Sequence, residues 1–167
     1  MILEFTKAEE SVITPTRGNP SDAGLDLYAN IPEDFEHESK ALHRTIVIKP
    51  GENKMIPTGL RFGIPHGYML QVCNRSSMGA KRSLVVGAHI VDSGYDGEVF
   101  IDLHNIGVST QTIRNGEKIA QVILVPVVHF RPRENKEGNL YEEQGLTISD
   151  RGEGALGSTD ARQGVLL

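Results

Sequence analysis

The 167-residue sequence contains no tryptophan, a single cysteine and only 5% aromatic residues. Because Cys73 has no second cysteine with which to pair, an intrachain disulfide is excluded, and the chain suits a reducing compartment. The longest apolar run, Val122 to Val128, is interrupted by Pro126 and is too short to span a bilayer. The first ten residues, MILEFTKAEE, turn acidic early, so we expect no signal peptide. We therefore predict a cytoplasmic protein (or a nuclear one, or a viral one in the host cytosol) that has no membrane partner.

The sequence also has no excess of positive charge. Its 17 basic and 22 acidic residues give a formal net charge of −5 at pH 7. A broad DNA- or RNA-binding surface is normally basic, so we predict no nucleic-acid partner. A small anionic substrate remains compatible with this charge, because a few local arginines or one divalent cation are enough to bind it.

No window of a dozen residues has helical periodicity with caps, and short apolar–polar alternations separated by glycine and proline turns predict many strands instead. The segment TQTIRNGEKIAQVILVPVVHF predicts a strand, an Asn115–Gly116 turn and a second strand buried on both faces. The segment EVFIDLHNIG predicts a strand with two distinct faces, one carrying Phe100, Asp102 and His104 and the other carrying Ile101, Leu103 and Asn105. The fold class is therefore predicted to be all-β, as a sandwich or barrel.

Two segments lack this alternation. Residues 30–43, NIPEDFEHESKALH, are polar and acid-rich, and we predict an exposed insertion. Residues 131–167 are glycine-rich with little apolar content before the last three positions, so this C-terminal arm cannot pack a core of its own. It is either disordered or ordered by a ligand or a neighbouring subunit. We thus divide the chain into a β-barrel core, residues 1–130, and an arm, residues 131–167.

Five short motifs contain the residues best suited to chemistry: SDAGLDLYA, NRSSMG, GAHIVDSGYDGEV, NGEKIAQVIL and RGEGALGSTD. Each has an ordinary structural explanation when taken singly. Asp92 in the DSG sequence suits a turn cap, Tyr95 a cross-strand aromatic, and RSS a polar turn. The third motif is unusual in ending an apolar strand with a carboxylate at a sharp Ser–Gly turn, which suggests a buried aspartate close to an aromatic ring.

In this order and at these spacings, the five motifs resemble those of the trimeric deoxyuridine triphosphatases (dUTPases), from about Asp22 to Thr159. The resemblance implies a jelly-roll-like β-barrel of the β-clip type, assembled as a homotrimer with active sites shared between subunits. The arm of one subunit then closes over a site on another. The implied reaction is the Mg²⁺-dependent hydrolysis of deoxyuridine triphosphate (dUTP) to dUMP and pyrophosphate.

The resemblance also assigns roles to individual residues. Asp92 corresponds to the base that activates a water, and Tyr95 to the aromatic that leaves no room for a 2′-hydroxyl. Asp26 corresponds to the carboxylate that holds Mg²⁺ through water, whereas Asp22 is expected to cap a turn. The remaining positions correspond to contacts with the nucleotide and its phosphates: Arg75, Ser76, Ser77, Gly79, Ala88, His89, Gln121, Arg151, Leu156, Gly157, Ser158 and Thr159.

The sequence departs from the dUTPase pattern at three positions. The arm reads GALG where the family has GGFG, so Leu156 can cover the base but cannot stack on it, at a loss of about 0.5–1.5 kcal/mol. Asp160 replaces a small residue, a change for which we have no physical account. His89 replaces a glycine in the hairpin that reads the base. Its ring either points outwards or shifts the preference towards cytosine or a modified pyrimidine.

The His89 position also resembles the related dCTP deaminases, which carry an Ala–His pair there and a catalytic glutamate ten residues after their aspartate. In this chain that position is Asp102, one methylene shorter than glutamate. Three alternatives to a dUTPase therefore remain open. They are a dCTP deaminase or bifunctional deaminase–diphosphatase, a pyrimidine nucleotide pyrophosphatase with altered base preference, and a non-catalytic nucleotide-sensing module.

Overall fold

The structure is a computed structural model that describes residues 1–33, 44–136, 138 and 140. Within these ranges the chain forms eleven strands and one short helix, which confirms the all-β fold class. In chain order the elements are β1 (Glu4–Lys7), β2 (Leu25–Tyr28), β3 (Thr45–Ile48), β4 (Asn53–Pro57), β5 (Leu60–Gly63), β6 (Tyr68–Cys73), α1 (Ser76–Arg82), β7 (Leu84–Val86), β8 (Ile90–Asp92), β9 (Phe100–Asn105), β10 (Gln111–Arg114) and β11 (Lys118–Pro126).

The chain divides into two compact units, Met1–His129 and Phe130–Leu167, and all twelve elements belong to the first. In that first unit the strands pair antiparallel in four sheets, with the orders β1-β5, β10-β3, β4-β9-β7 and β2-β11-β6-β8. None of the described helical residues forms a segment long and apolar enough to cross a bilayer. The four-stranded sheet matters most for function, because four of the five motifs lie on its strands or next to them.

The core of the first unit consists of aliphatic side chains from nearly every strand, among them Leu27, Ile48, Leu70, Ile101 and Ile119, all fully buried. The predicted alternation of β9 is confirmed, since Ile101, Leu103 and Asn105 are buried and the residues between them face outwards. Asn105 is tolerated in this core because its side chain bonds the carbonyls of Ile48 and Ser109 and the N–H of Gly107.

The predicted strand–turn–strand at Asn115–Gly116 is present, and Gly116 has the positive φ of 76° that such a turn favours. Its two strands nevertheless join different sheets, because β10 pairs with β3 and β11 pairs with β2 and β6. The prediction that β11 is buried on both faces is only partly right. Ile119 and Ala120 are buried on both sides, whereas Ile123 to Val125 are half-buried and Pro126 is exposed.

One short helix was not predicted. The residues after Arg75 form α1, whose seven residues are too few to produce a pattern in a window of a dozen. Met78 is the buried contact of this helix, and Ser83 ends it in the left-handed conformation with φ of 53°. The RSS sequence is therefore the start of a helix rather than a polar turn.

The predicted start of the exposed insertion, at Asn30, is also too early in the chain. Ile31 is fully buried in the core, and its N–H donates to the side-chain oxygen of Asn115 at 2.8 Å. The N–H of Asn30 donates to the carbonyl of Pro57 at 2.8 Å. These two residues therefore belong to the barrel. Of the rest of the predicted insertion, Pro32 and Glu33 are described, whereas residues 34–43 lie outside the described residues.

Candidate active site

Asp92 is the last residue of β8 and the first of a tight turn. The N–H of Tyr95 donates to the Asp92 carbonyl at 3.2 Å, and Gly94 has φ of 91°, which together define a turn that only glycine adopts without strain at that position. The hydroxyl of Ser93 donates to the Ile64 carbonyl at 3.0 Å and fixes the turn to the barrel. The prediction of a sharp Ser–Gly turn is confirmed. The prediction that Asp92 is buried is wrong for a single chain, because the end of the edge strand leaves it exposed.

Tyr95 and Asp92 line the same open groove, which has a volume of about 200 Å³. Exposed apolar side chains of Met55, Ile90 and Phe100 form much of the remaining wall. The Glu98 carboxylate also lines the groove, but it accepts the N–H of Gly59 at 2.7 Å. The combination of the Asp92 carboxylate, the Tyr95 ring and an apolar wall suits a ligand with a flat apolar part and a reactive polar part.

The ring of Tyr95 is held by local contacts and is 48% exposed. Its hydroxyl donates to the Glu98 carbonyl at 3.0 Å. The ring passes directly over Gly97, where an added Cβ would lie 2.3 Å from the tyrosine oxygen. Gly97 is therefore needed for the observed position of the ring. Sequence reasoning missed it, although the YDGE sequence contained the signal.

A second group of polar residues, here called the cationic cluster, consists of Asp26, Arg75 and Lys118. Asp26 lies on β2, Lys118 begins β11 next to it, and Arg75 follows the end of β6. The Arg75 Nε donates to one Asp26 oxygen at 2.8 Å, and the Lys118 Nζ donates to the other, also at 2.8 Å. Lys118 was missed by the sequence analysis. Two cations facing one carboxylate leave the cluster with a net positive charge, as an anion-binding surface requires.

The two cations of the cluster change the pKa of Asp26. Partial burial raises this pKa, but the hydrogen bonds from Lys118 and Arg75 and their positive charges outweigh burial and lower it below the ordinary 3.8. The same contact with Asp26 is the largest cause of the raised pKa of Lys118. Both shifts favour the charged forms, so the cluster is ionised at neutral pH.

We expect Asp26 to contribute to stability only above acidic pH. Because the folded-state pKa is lowered, the contribution is complete above the unfolded value of about 3.9 and is lost as the pH falls through the folded value. In urea titrations from pH 7 to pH 2, the difference in unfolding free energy between the native chain and Asp26→Asn should therefore shrink below about pH 4. The control is Asp96→Asn, an exposed carboxylate in no described ion pair. A difference that stays constant across this range would contradict the prediction.

The guanidinium of Arg75 makes three contacts within its own chain. Besides the bond to Asp26, its Nη1 donates to the Ser77 hydroxyl and to the Lys118 carbonyl, each at 3.4 Å. In the described structure its Nη2 has no acceptor, so that nitrogen keeps two N–H groups for a ligand. Ser76 and Ser77 lie beside it in the first turn of α1. Gly79 is one turn further on, where an added Cβ would contact nothing within 4 Å, so the single chain gives no steric reason for glycine there.

Gln121 is a half-buried residue that supports the Arg75 segment. It pairs in register with Asp26 on one side and with Cys73 on the other, and its Nε2 donates to the Asn74 carbonyl at 3.0 Å. Gly24 packs so closely on it that a Cβ would lie 2.6 Å from the Gln121 oxygen. Asp22 caps a turn as predicted, accepting the N–H of Asn19 at 2.8 Å.

Arg82, at the end of α1, is a further residue that the sequence analysis missed. Its Nε donates to the Gln111 side chain at 2.9 Å, its Nη2 to the Thr112 carbonyl at 2.7 Å, and its Nη1 to the carboxylate of Glu117. These bonds fasten α1 to β10 and to the turn that precedes Lys118. The hydroxyls at the start of α1 are thereby held beside the cationic cluster.

The groove and the cationic cluster lie towards opposite ends of β6. Asp92 pairs with Met69 near the start of that strand, whereas Gln121 pairs with Cys73 at its end. The rise of a strand places these two positions about 13 Å apart, and Arg75 is two residues further along. One chain therefore does not bring Asp92 and Arg75 to a common point.

His89 and Ala88 occupy the link between β7 and β8, and both are exposed. His89 does not line the groove. Its Nδ1 contacts the Val72 carbonyl at 2.8 Å, so this edge of the exposed ring faces β6. Five other predicted contact residues lie in the arm, outside the described part of the chain: Arg151, Leu156, Gly157, Ser158 and Thr159.

Asp102 lies on the outer face of β9, as predicted. One of its oxygens accepts from the Asn53 amide at 2.8 Å, and the other contacts the His104 Nε2 at 2.9 Å. Burial raises the pKa of Asp102, but the bonds from Asn53 and His104 and the charge of His104 outweigh it and lower the pKa. A carboxylate in this state is a weaker base than a free one.

The donor set near Asp26 fits Mg²⁺ in one way only. Each carboxylate oxygen already accepts a bond from a protein cation, but each retains a lone pair that a metal-bound water can donate to. Among the described residues, no group of three or more His, Cys, Asp or Glu side chains could hold a metal ion. The site therefore fits a Mg²⁺ that takes most of its ligands from phosphate oxygens and water and contacts Asp26 through water.

The fold and the site together define an all-β protein with a carboxylate–tyrosine groove and a separate cationic cluster for an anionic ligand. A sequence model of the dUTPase family matches residues 10–159. The chain belongs to the dUTPase family, which confirms the family that its five motifs resemble.

Individual relatives agree with this assignment. The deoxyuridine 5′-triphosphate nucleotidohydrolase of Pectobacterium carotovorum is 37% identical over 146 residues, covering 86% of this chain and 84% of its own length. That of Chlamydia felis is 34% identical over 157 residues, covering 93% and 96%. Among solved structures, the Staphylococcus bacteriophage 80alpha dUTPase with dUpNHpp has a TM-score of 0.74 at 23% identity, covering 94% of this chain and 97% of its own. The dUTPase of S. aureus phage phi11, solved with a structural Mg(II) ion, has a TM-score of 0.69 at 23% identity, covering 83% and 99%.

Proposed function

We propose that this chain hydrolyses dUTP to dUMP and pyrophosphate, with Asp92 as the base that activates the attacking water. The observation that carries the proposal is the position of Asp92. Its carboxylate has no side-chain partner in the described structure, lies on a turn fixed by Gly94 and Ser93, and shares a groove with Tyr95. The relatives named above support the substrate and the reaction.

Hydrolysis of a triphosphate mainly needs a positioned water and neutralised charge. Asp92 accepts a proton from water while the water oxygen forms a bond to the α-phosphorus. The bond from that phosphorus to the bridging oxygen breaks, and pyrophosphate leaves. The ring of Tyr95 packs against the deoxyribose and excludes a 2′-hydroxyl.

We further propose that the working enzyme is a homotrimer in which neighbouring copies complete each site. The separation between Asp92 and Arg75 along β6 supports this, because a triphosphate bound at one cannot reach the other easily within a single chain. Arg75, Ser76, Ser77 and Gly79 of one subunit then face the phosphates of a nucleotide whose sugar lies on another.

Several remaining roles stay predictions. Mg²⁺, held by Asp26 through water, supplies neutralisation of the phosphate charge when it is bound. Gln121 supports the phosphate-binding segment, and the groups at Ala88 contribute to base recognition. In the arm, Arg151, Gly157, Ser158 and Thr159 are expected to bind phosphates and Leu156 to cover the base.

The alternative of a dCTP deaminase receives little support from the site. Its candidate base, Asp102, is occupied by Asn53 and His104, and its pKa is lowered where a general base needs it raised. A non-catalytic sensing module also fits the site less well than an enzyme does. The Asp92 carboxylate has no side-chain partner in the described structure and can therefore accept a proton from water.

The test is to identify the products formed from dUTP, dCTP, dTTP and UTP, each with and without Mg²⁺. We expect dUMP and pyrophosphate from dUTP, faster with Mg²⁺, and no ammonia from dCTP. Release of ammonia that is abolished by Asp102→Asn would indicate a deaminase. Binding of dUTP without turnover under all conditions would indicate a sensing module, and comparable turnover of dCTP or dTTP would indicate altered base preference.

Discrimination against UTP should depend on Gly97. In Gly97→Ala the new methyl group would lie 2.3 Å from the Tyr95 hydroxyl oxygen and 2.4 Å from the nearest ring carbon, so the ring must move off its observed position. We expect kcat/KM for UTP relative to dUTP to rise about 10-fold, a typical effect for losing one steric contact. The control is Gly63→Ala on β5, where a methyl group makes only ordinary van der Waals contacts with Glu4 at 3.8 Å. An unchanged UTP/dUTP ratio in Gly97→Ala would contradict the proposed role of the ring.

A further inference from the structure

His89 makes two hydrogen bonds to a single residue of the neighbouring strand. The N–H of Val72 donates to the His89 carbonyl at 2.7 Å, and the His89 Nδ1 lies 2.8 Å from the Val72 carbonyl. A carbonyl oxygen can only accept, so the Nδ1 must carry the proton and donate. The side chain of His89 thus bonds the carbonyl on the strand opposite, a position that a main-chain N–H usually occupies in an antiparallel pair.

This contact lies where β8 has little other support. β8 has three residues and is the edge strand of its sheet within the described part of the chain, where it pairs with β6 alone, at Met69, Leu70 and Gln71. Two of its three residues are exposed. Short edge strands with exposed hydrogen bonds open locally at low free-energy cost. The two bonds at Val72 extend the pairing by one position, at the end of β8 opposite to Asp92.

We propose that His89 is a positioning residue that holds β8 against β6 through its imidazole and so keeps Asp92 at its working position. The proposal rests on the proposed function of Asp92. It also replaces the hypothesis that His89 alters base preference, because the ring is bonded to Val72 and is absent from the groove wall. The replacement of a glycine by histidine then adds a link to the hairpin without adding a contact to the base.

Three variants separate the hydrogen bond from the bulk of the side chain. His89→Ala removes the donor. His89→Asn places an amide N–H close to the position of the imidazole Nδ1, whereas His89→Gln places its amide one bond further out, closer to the position of Nε2. The measurements are kcat and KM for dUTP, the Kd for the non-hydrolysable analogue dUpNHpp, and amide hydrogen exchange over residues 90–92 in the full chain.

We expect His89→Ala and His89→Gln to lower kcat about 3- to 10-fold, with less than about a twofold change in Kd, and to speed exchange over residues 90–92. His89→Asn should restore both quantities to near their native values. Unchanged exchange and kcat in His89→Ala would overturn the proposal. So would failure of His89→Asn to restore them, or a gain in dCTP or dTTP turnover with kcat for dUTP unchanged. If the native chain proves not to hydrolyse dUTP, the proposed function fails, while hydrogen exchange still tests the link between His89 and β8.

Discussion

The variant Asp92→Asn is expected to fold normally, to bind dUpNHpp with near-native affinity and to hydrolyse dUTP about 10²- to 10⁴-fold more slowly than the native chain. Asparagine has nearly the shape of aspartate but cannot take a proton from water. The carboxylate of Asp92 is exposed and has no side-chain partner in the described structure, so its replacement breaks no bond that stabilises the fold. The loss should therefore fall on kcat, with KM little changed.

The measurement is steady-state release of pyrophosphate, combined with calorimetric titration of the analogue. Asp96→Asn is the matched control, because Asp96 is an exposed carboxylate in the same loop, four residues after Asp92. It should retain near-native turnover. Turnover of Asp92→Asn within about threefold of the native value would mean that another group activates the water, and the proposed mechanism would have to be given up.

Arg75→Ala should have the second largest effect, a fall in kcat/KM of about 10²-fold. Two losses combine in this variant. The phosphates lose the N–H groups of Nη2, and Asp26 loses one of its two cations. Arg75→Lys should recover little, since an ammonium group is a single point of contact and lacks the separate nitrogens with which the guanidinium reaches Asp26, Ser77 and a phosphate oxygen. Arg61→Ala, which removes an exposed arginine from β5, is the control and should be nearly silent.

The two variants together test whether sites are shared between subunits. If Asp92 and Arg75 of one site come from different copies, a trimer mixed from Asp92→Asn and Arg75→Ala chains contains some sites with both native residues. Random mixing in equal amounts gives both native residues at about a quarter of the sites, so activity should return to about a quarter of the native value. No recovery in verified mixed trimers would indicate that one chain supplies both residues, against the proposed arrangement.

Much of the strand structure followed from local patterns. The alternation in residues 100–105 and the turns at Ser93–Gly94 and Asn115–Gly116 depend on residues a few positions apart, so they were visible in the sequence. The helix after Arg75 was missed because seven residues with one buried side chain have no recognisable period. The exposure of Asp92 was also missed, because whether a strand lies at the edge of a sheet depends on distant pairing.

The site was predictable in its residue types and not in its contacts. The motifs identified Asp26, Arg75 and Gln121, but nothing in their spacing connected them to Lys118 or connected Arg82 to Glu117. Those pairs join residues 35 to 92 positions apart in the chain. Gly97 and His89 likewise acquire a role only from what lies beside them, a tyrosine ring and the carbonyl of Val72.

The sequence alone determined that this protein is an all-β member of the dUTPase family with a carboxylate on a tight turn, since alternation, turn residues and ordered motifs are local properties. Only the tertiary structure decided that Asp92 and the cationic cluster lie towards opposite ends of β6, that Asp102 is occupied by its neighbours, and that the His89 ring bonds β6. The physical reason is that strand order, register and side-chain partners are set by packing between segments far apart in the chain, whereas residue patterns record only what each segment can do by itself.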